Sequence, residues 1–120
     1  MIQVAYISKT GHVEKVVSKL GLEKTLKIVD GNEKIDGDYV IFTFTTGKGK
    51  TPKQVETFLA NNTGVKAVIG SGSKAKSHIE TFNFAADNIS KAYNVPIIAK
   101  LDGAGTDEDI EHIKMELKKF

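Results

Sequence analysis

The sequence predicts a three-layer α/β sandwich around a five-stranded parallel sheet of order 2-1-3-4-5. Three observations predict it. Short β-branched runs alternate with longer segments of helical periodicity. The run Tyr39–Phe44 is apolar on both faces, as a central parallel strand should be. Gly-bearing turns follow three of the predicted strands: Ser8-Lys9-Thr10-Gly11-His12, Thr45-Thr46-Gly47-Lys48-Gly49-Lys50 and Gly70-Ser71-Gly72-Ser73. In an open α/β sheet, ligands bind beyond the carboxyl ends of the strands, where the strand order reverses. Three such turns at that edge describe a pocket.

Taken in order, Ile2–Ile7 reads as a buried strand. His12–Leu20 carries Val13, Val16, Val17 and Leu20 at helical spacing, and Gly21 ends it. Thr25–Val29 is a short strand at an edge, and Asp30-Gly31 and Asp36-Gly37 punctuate a link with no helix. After Tyr39–Phe44, Thr51 is read as an N-cap with Pro52 at the first helical position. Val55, Phe58 and Leu59 form that helix's apolar stripe, and Asn62-Thr63-Gly64 closes it. Val65–Ile69 is a strand. A helix runs from about Ile79 to Tyr93, with Phe82, Ala85, Ala86, Ile89 and Tyr93 at helical spacing. Val95–Leu101 makes the last strand. Thr106-Asp107-Glu108-Asp109 resembles a capping box with Asp in the place of Glu. It opens a final helix with Ile110, Ile113 and Leu117 inward. Right-handed crossovers place helices on both faces of such a sheet, the flavodoxin-like arrangement.

The 120 residues are expected to form one domain, 1–120. Forty per cent are hydrophobic and the net charge is +2. Absent cysteine excludes a disulfide framework, a thiolate metal site and cysteine redox chemistry. Absent arginine argues against bidentate readout of bases or phosphates, so no nucleic-acid partner is expected. No apolar run approaches the ~20 residues of a membrane span, and no basic segment precedes an apolar one at the start. A cytoplasmic protein without a membrane partner is the expectation.

The first turn has what a phosphate loop needs. Ser8 and Thr10 supply hydroxyls, Gly11 permits a tight turn, and the helix from His12 and Val13 presents N–H groups to an anion. Gly47-Lys48-Gly49 can take backbone conformations closed to other residues, and its peptides can offer N–H or C=O beside a redox ring. Gly49-Lys50-Thr51 imitates the end of a Walker A motif, but Phe44 stands where that motif needs its first glycine. A phospho-receiver needs an acidic cluster after the first strand and an Asp after the third. Ser8-Lys9-Thr10 and Thr45-Thr46-Gly47 occupy those places. His12, His78 and His112 have no metal-ligand spacing with carboxylates, so no metal and no catalytic side chain are expected.

Across nearly the whole chain the sequence resembles the NrdI family, the small FMN-binding flavodoxins that partner class Ib ribonucleotide reductase. Ser8-Lys9-Thr10-Gly11, Thr43-Phe44-Thr45-Thr46-Gly47-Lys48-Gly49 with Pro52, and Ser71-Gly72 carry the resemblance. So do Ala86-Asp87-Asn88-Ile89-Ser90 with Tyr93, Val95-Pro96-Ile97, and Gly105-Thr106 with Asp109. The resemblance implies FMN as cofactor. Its phosphate would lie on Ser8, Lys9, Thr10, Gly11, His12 and Val13. Its ring would lie between Thr45, Thr46, Gly47, Lys48 and Gly49 on one side and Ser71, Gly72, Ser73 and His78 on the other. The resemblance also implies a role. Reduced FMN reacts with oxygen, and the oxidant passes to the dimanganese site of the reductase small subunit, where a tyrosyl radical is made. A flavin or thiol reductant protein would supply the electrons.

The chain departs from the family pattern at His12, usually Asn, and at Lys48, often aromatic. The third loop is longer, with His78 near the place of a Trp. Two readings therefore stand. One is a redox flavoprotein accessory that turns over no metabolite itself, with ring contacts passing to Tyr6, Phe44 or His78. The other is a diverged flavodoxin-like binding module with weak or no FMN binding.

Overall fold

Four parallel ladders join the strands in the order 2-1-3-4-5, as the alternation predicts. The computed structural model describes residues 2–9, 11–45, 49–72 and 83–120. Strand β1 (Gln3–Tyr6) lies between β2 (Thr25–Lys27) and β3 (Tyr39–Phe44). Beyond β3 come β4 (Val65–Gly72) and then β5 (Ile97–Asp102) at the far edge. Phe42 sits opposite Tyr6 on one neighbour and Ile69 on the other.

Period-two alternation along β3 feeds two cores. Val40 and Phe42 face helices α1 (His12–Leu20) and α4 (Asp107–Leu117), where Val13, Val16, Val17, Ile110, Ile113 and Leu117 are buried. Tyr39 and Ile41 face α2 (Lys53–Asn61) and α3 (Phe84–Tyr93), against Val55, Phe58, Leu59, Ala86 and Ile89. The rings of Tyr39 and Phe58 meet edge to face, with centroids 5.5 Å apart. The result is the predicted three layers.

The link from β2 to β3 has no helix and covers its part of the sheet with Ile28 and Ile35. Two polar side chains organise it. The Glu33 carboxylate accepts the backbone N–H groups of Val29, Asp30 and Gly31 at 2.9, 3.3 and 3.0 Å. Buried Asn62 accepts from Ile35 N at 3.0 Å and donates to the carbonyls of Glu33 and Phe58, both at 3.0 Å. Its own carbonyl takes the Tyr39 hydroxyl at 2.6 Å. A link that cannot bond to itself as a helix does is satisfied from the side.

Several boundaries differ from the sequence reading. Pro52, with ψ 137, is the N-cap of α2, and its carbonyl accepts from Val55 and Glu56 at 3.0 and 3.1 Å. Thr51 does not cap; its hydroxyl accepts from Asn88 at 3.4 Å instead. Val95 is still tied to the end of α3 through Ser90, so β5 begins at Ile97. Helix α3 starts at Phe84, and the expected helical residues 79–82 lie outside the described ones. The Thr106–Asp109 capping box is present, with both reciprocal bonds at 3.1 and 2.9 Å. No helix among the described residues is long and apolar enough to cross a membrane.

Candidate functional site at the carboxyl edge of the sheet

The first loop carries the chain from β1 into α1. Gly11 is the N-cap of α1 in the left-handed region, with φ 90 and ψ −6. A Cβ there would meet nothing within 4 Å, so it is the backbone and not the space that requires glycine. The Ser8 hydroxyl accepts from Glu14 N at 3.4 Å, the third N–H of the helix. The N–H groups at the start of an α-helix point outward along its axis, and here His12 and Val13 begin α1. Val13 itself is a core side chain, so only its backbone can serve a ligand. Lys9 and His12 are exposed and Ser8 is half-buried. Thr10 lies outside the described residues. Behind this loop, burial pushes the Tyr6 phenol above its ordinary value, and the Glu14 carboxylate pushes it further. Glu14 in turn pairs with Lys27 at 3.2 Å, an exposed contact.

The second loop is tied to α3. The Thr45 hydroxyl accepts from Ala85 N, in the first turn of that helix, at 3.1 Å. Gly49 has φ 76, and a Cβ on it would come 2.6 Å from Cδ2 of Phe84. The Gly49 carbonyl accepts from Asn88 Nδ2 at 3.2 Å. Thr46, Gly47 and Lys48 lie outside the described residues.

The third turn begins later than its composition suggests. Gly70, Ser71 and Gly72 continue β4, paired with Lys100, Leu101 and Asp102 of β5. Gly70 is there because α3 sits on it: a Cβ would fall on Asn83 Oδ1 and 2.9 Å from Ala86 Cβ. Asn83 is fully buried at φ 56, and its amide donates to Leu101 O at 3.2 Å. Its Oδ1 is the buried polar side-chain atom left without a hydrogen-bond partner among the described residues. Ser71 is buried and donates to Gly103 O at 2.7 Å. Ser73 and His78 lie outside the described residues.

A fourth segment, absent from the expected site, completes the edge. Gly103, after β5, has φ 60, and a Cβ on it would stand 3.7 Å from the His12 ring. The turn after β5 thus abuts the first loop. Phe84, Asn88 and Gly103 could not be read from the sequence as site-shaping residues. Their partners are distant in the chain, 39 positions away for Asn88 and Gly49.

A cavity of about 840 Å³ lies at the opposite, amino edge, lined by Gln3, Lys24, Lys34, Asp36, Asp38 and Lys66 among others. Its charges are mixed, and among the described residues none from the three glycine-bearing loops lines it. Among the described residues no group of three or more His, Asp or Glu side chains could hold a metal.

A parallel sheet of order 2-1-3-4-5, with an anion-receptive helix start after β1 and a glycine-bearing loop after β3, defines a flavodoxin-like protein. A flavodoxin of Streptococcus pneumoniae TIGR4 superposes with a TM-score of 0.70 at 23% identity, covering 98% of this chain and 94% of that one. Residues 4–115 match the family model described as NrdI Flavodoxin like. The Protein NrdI of Bacillus licheniformis is 37% identical over 120 residues, 99% of this chain and 89% of that protein. The Protein NrdI of Ruegeria sp. (strain TM1040) is 33% identical over 125 residues, 98% of this chain and 88% of that protein. The chain belongs to the NrdI flavodoxin-like family, whose cofactor is FMN.

The described residues fit the phosphate end of FMN. The donor set is a hydroxyl and helix-start N–H groups around a glycine with open space beside it. An anion there meets the positive end of α1.

Proposed function

We propose that this chain is an FMN-dependent redox accessory protein of class Ib ribonucleotide reductase. It supplies oxidant or electrons for assembly of the dimanganese-tyrosyl radical centre of the reductase small subunit. Family membership supports the role. The observation that carries the cofactor reading is left-handed Gly11 opening α1 beside the Ser8 hydroxyl.

In this reading Ser8, Lys9, Thr10 and Gly11, with the backbone of His12 and Val13, hold the phosphate. The Ser8 oxygen accepts from Glu14, so its own O–H is left to donate to a phosphate oxygen. Thr45 to Gly49 flank the ring on one side, and Gly72, Ser73 and His78 on the other. Ser71 acts through Gly103, because its hydroxyl proton is committed to that carbonyl. When bound, FMN supplies the electron storage and the reaction with oxygen; the protein supplies position and electrostatics. Contact with the small subunit, a flavin or thiol reductant protein as electron source and a cytoplasmic site of action belong to the same proposal.

The test is direct. FMN is titrated into purified protein and followed by visible absorption. Reduced, loaded protein is then given to a manganese-loaded class Ib small subunit in the presence of oxygen, and the radical is measured by electron paramagnetic resonance. FMN binding with radical formation supports the proposal. FMN binding without radical formation removes the reductase role. A protein that stays colourless with excess FMN would be a binding module on this fold.

A further inference from the structure

Both ends of the second loop are fastened to one stretch of α3. At the β3 end, Thr45 Oγ1 accepts from Ala85 N at 3.1 Å. At the α2 end, Asn88 Nδ2 donates to Gly49 O at 3.2 Å and to Thr51 Oγ1 at 3.4 Å. One amide nitrogen carries two hydrogens, so both acceptors can be satisfied together. Phe84, 43% exposed, lies over Gly49 where a side chain would otherwise stand. Gly49 is therefore blocked from moving toward α3 by the ring and held from turning away by its carbonyl. At φ 76 it occupies a region that only glycine enters cheaply. Left untied, such a peptide would sample many conformations, and ordering them would count against any ligand.

We propose that Asn88 is a positioning residue for the flavin ring: it fixes the Gly49 carbonyl and Thr51 hydroxyl, and so sets the backbone at Gly49, on the side of the isoalloxazine that the second loop flanks. The proposal rests on the FMN-binding reading above. It assigns Asn88 no contact with the cofactor. Its effect must therefore fall on the ring and spare the phosphate, because the phosphate donors belong to the first loop and bond to α1. A residue that only stabilised the helix surface would show no such division.

The experiment compares the full chain with Asn88→Ala and Asn88→Asp. Asn88→Asp keeps the size of the side chain and removes the donor. FMN and riboflavin are titrated directly, and inorganic phosphate is titrated as a competitor of FMN. Melting temperature and the midpoint potential of the bound flavin are measured alongside. We expect both variants to lose about three- to tenfold in affinity for FMN and for riboflavin alike. The phosphate competition constant should stay at the parent value, while the flavin absorption band and the midpoint potential shift. Thr45→Val, which releases the other end of the loop, should show the same division. Parent-like riboflavin affinity, spectrum and potential in both Asn88 variants would overturn the proposal. So would an equal loss of phosphate and riboflavin binding, which marks general destabilisation. Failure of the parent itself to bind FMN or riboflavin would sink the cofactor reading first, and it is seen before any variant is made.

Discussion

The Ser71 hydroxyl donates to the Gly103 carbonyl at 2.7 Å, and Gly103 N returns a bond to Gly72 O, also at 2.7 Å. This reciprocal pair closes the carboxyl end of β4 onto the turn after β5. The same turn stands beside His12 at the start of α1. One serine thus links the third loop's strand to the edge of the first loop.

Ser71→Ala should leave the Gly103 carbonyl without its side-chain donor. A part-buried acceptor so stranded costs about 1–2 kcal/mol. Thermal unfolding should register the loss, and hydrogen exchange at Gly103 N should quicken. Unchanged exchange there would mean that the ladder alone holds the turn.

Ser8→Ala should separate two functions of one hydroxyl. Its acceptor role toward Glu14 N resembles a cap, worth about 1 kcal/mol of stability. Its donor role toward a charged phosphate is worth about 1.5–3 kcal/mol, at least about tenfold in FMN affinity. Calorimetric titration should therefore show weakened FMN binding with riboflavin binding little changed. Equal losses for both ligands would remove Ser8 from the phosphate site.

Gly70→Ala should be destabilising by about 1–3 kcal/mol, the usual cost of overpacking. The new methyl would fall on Asn83 Oδ1 and crowd Ala86. The partner variant Asn83→Gly suits the left-handed backbone at φ 56 and removes the Oδ1 that has no partner among the described residues. In that background Gly70→Ala should cost less, and a double-mutant cycle by urea unfolding measures the coupling. Additive effects would show that Ala86, not Asn83, is the obstacle.

Asn62→Ala should loosen the link between β2 and β3. It deletes three side-chain hydrogen bonds to Ile35 N, Glu33 O and Phe58 O. With buried partners left behind, the cost should be about 2–4 kcal/mol. Exchange at Ile35 N should rise more than exchange in α1. Uniform change across the protein would argue against a local role.

Alkaline titration should unfold the protein through Tyr39. Burial, and then the nearby Tyr93 charge, raises its phenol well above the ordinary 10.0. The unfolded chain releases this proton first, so stability is fully present below pH 10.0 and falls as pH rises beyond it. Tyrosinate absorbance from Tyr39 should appear together with loss of helical circular dichroism. Ionisation of every tyrosine before any unfolding would contradict the burial argument.

The features legible in the sequence are those decided within a turn or two of chain. Thr106 and Asp109 are three residues apart, so their capping box could be read directly. Val13, Val16, Val17 and Leu20 declare the buried face of α1 by spacing alone. The two-faced apolar run Tyr39–Phe44 declares a central strand. Gly11 and Ser8 announce the start of α1 for the same reason: each acts on backbone within six residues.

The misread positions are those whose partners lie far away. Thr51 has the composition of an N-cap, but Asn88 engages its hydroxyl across 37 positions. Gly70-Ser71-Gly72 has the composition of a turn, but β5 offers a ladder and Asn83 fills the space above Gly70. Asn88 carries part of the family resemblance in the sequence, but what it and Phe84 do against the second loop shows only once packing brings them there. The layers, the sheet order and the glycine-opened start of α1 were already written in the sequence, because periodicity, capping and glycine turns act over short stretches of chain. Where β4 ends and what holds the two ends of the second loop were set by packing across the chain. Those outcomes depend on which side chains the crossovers bring together.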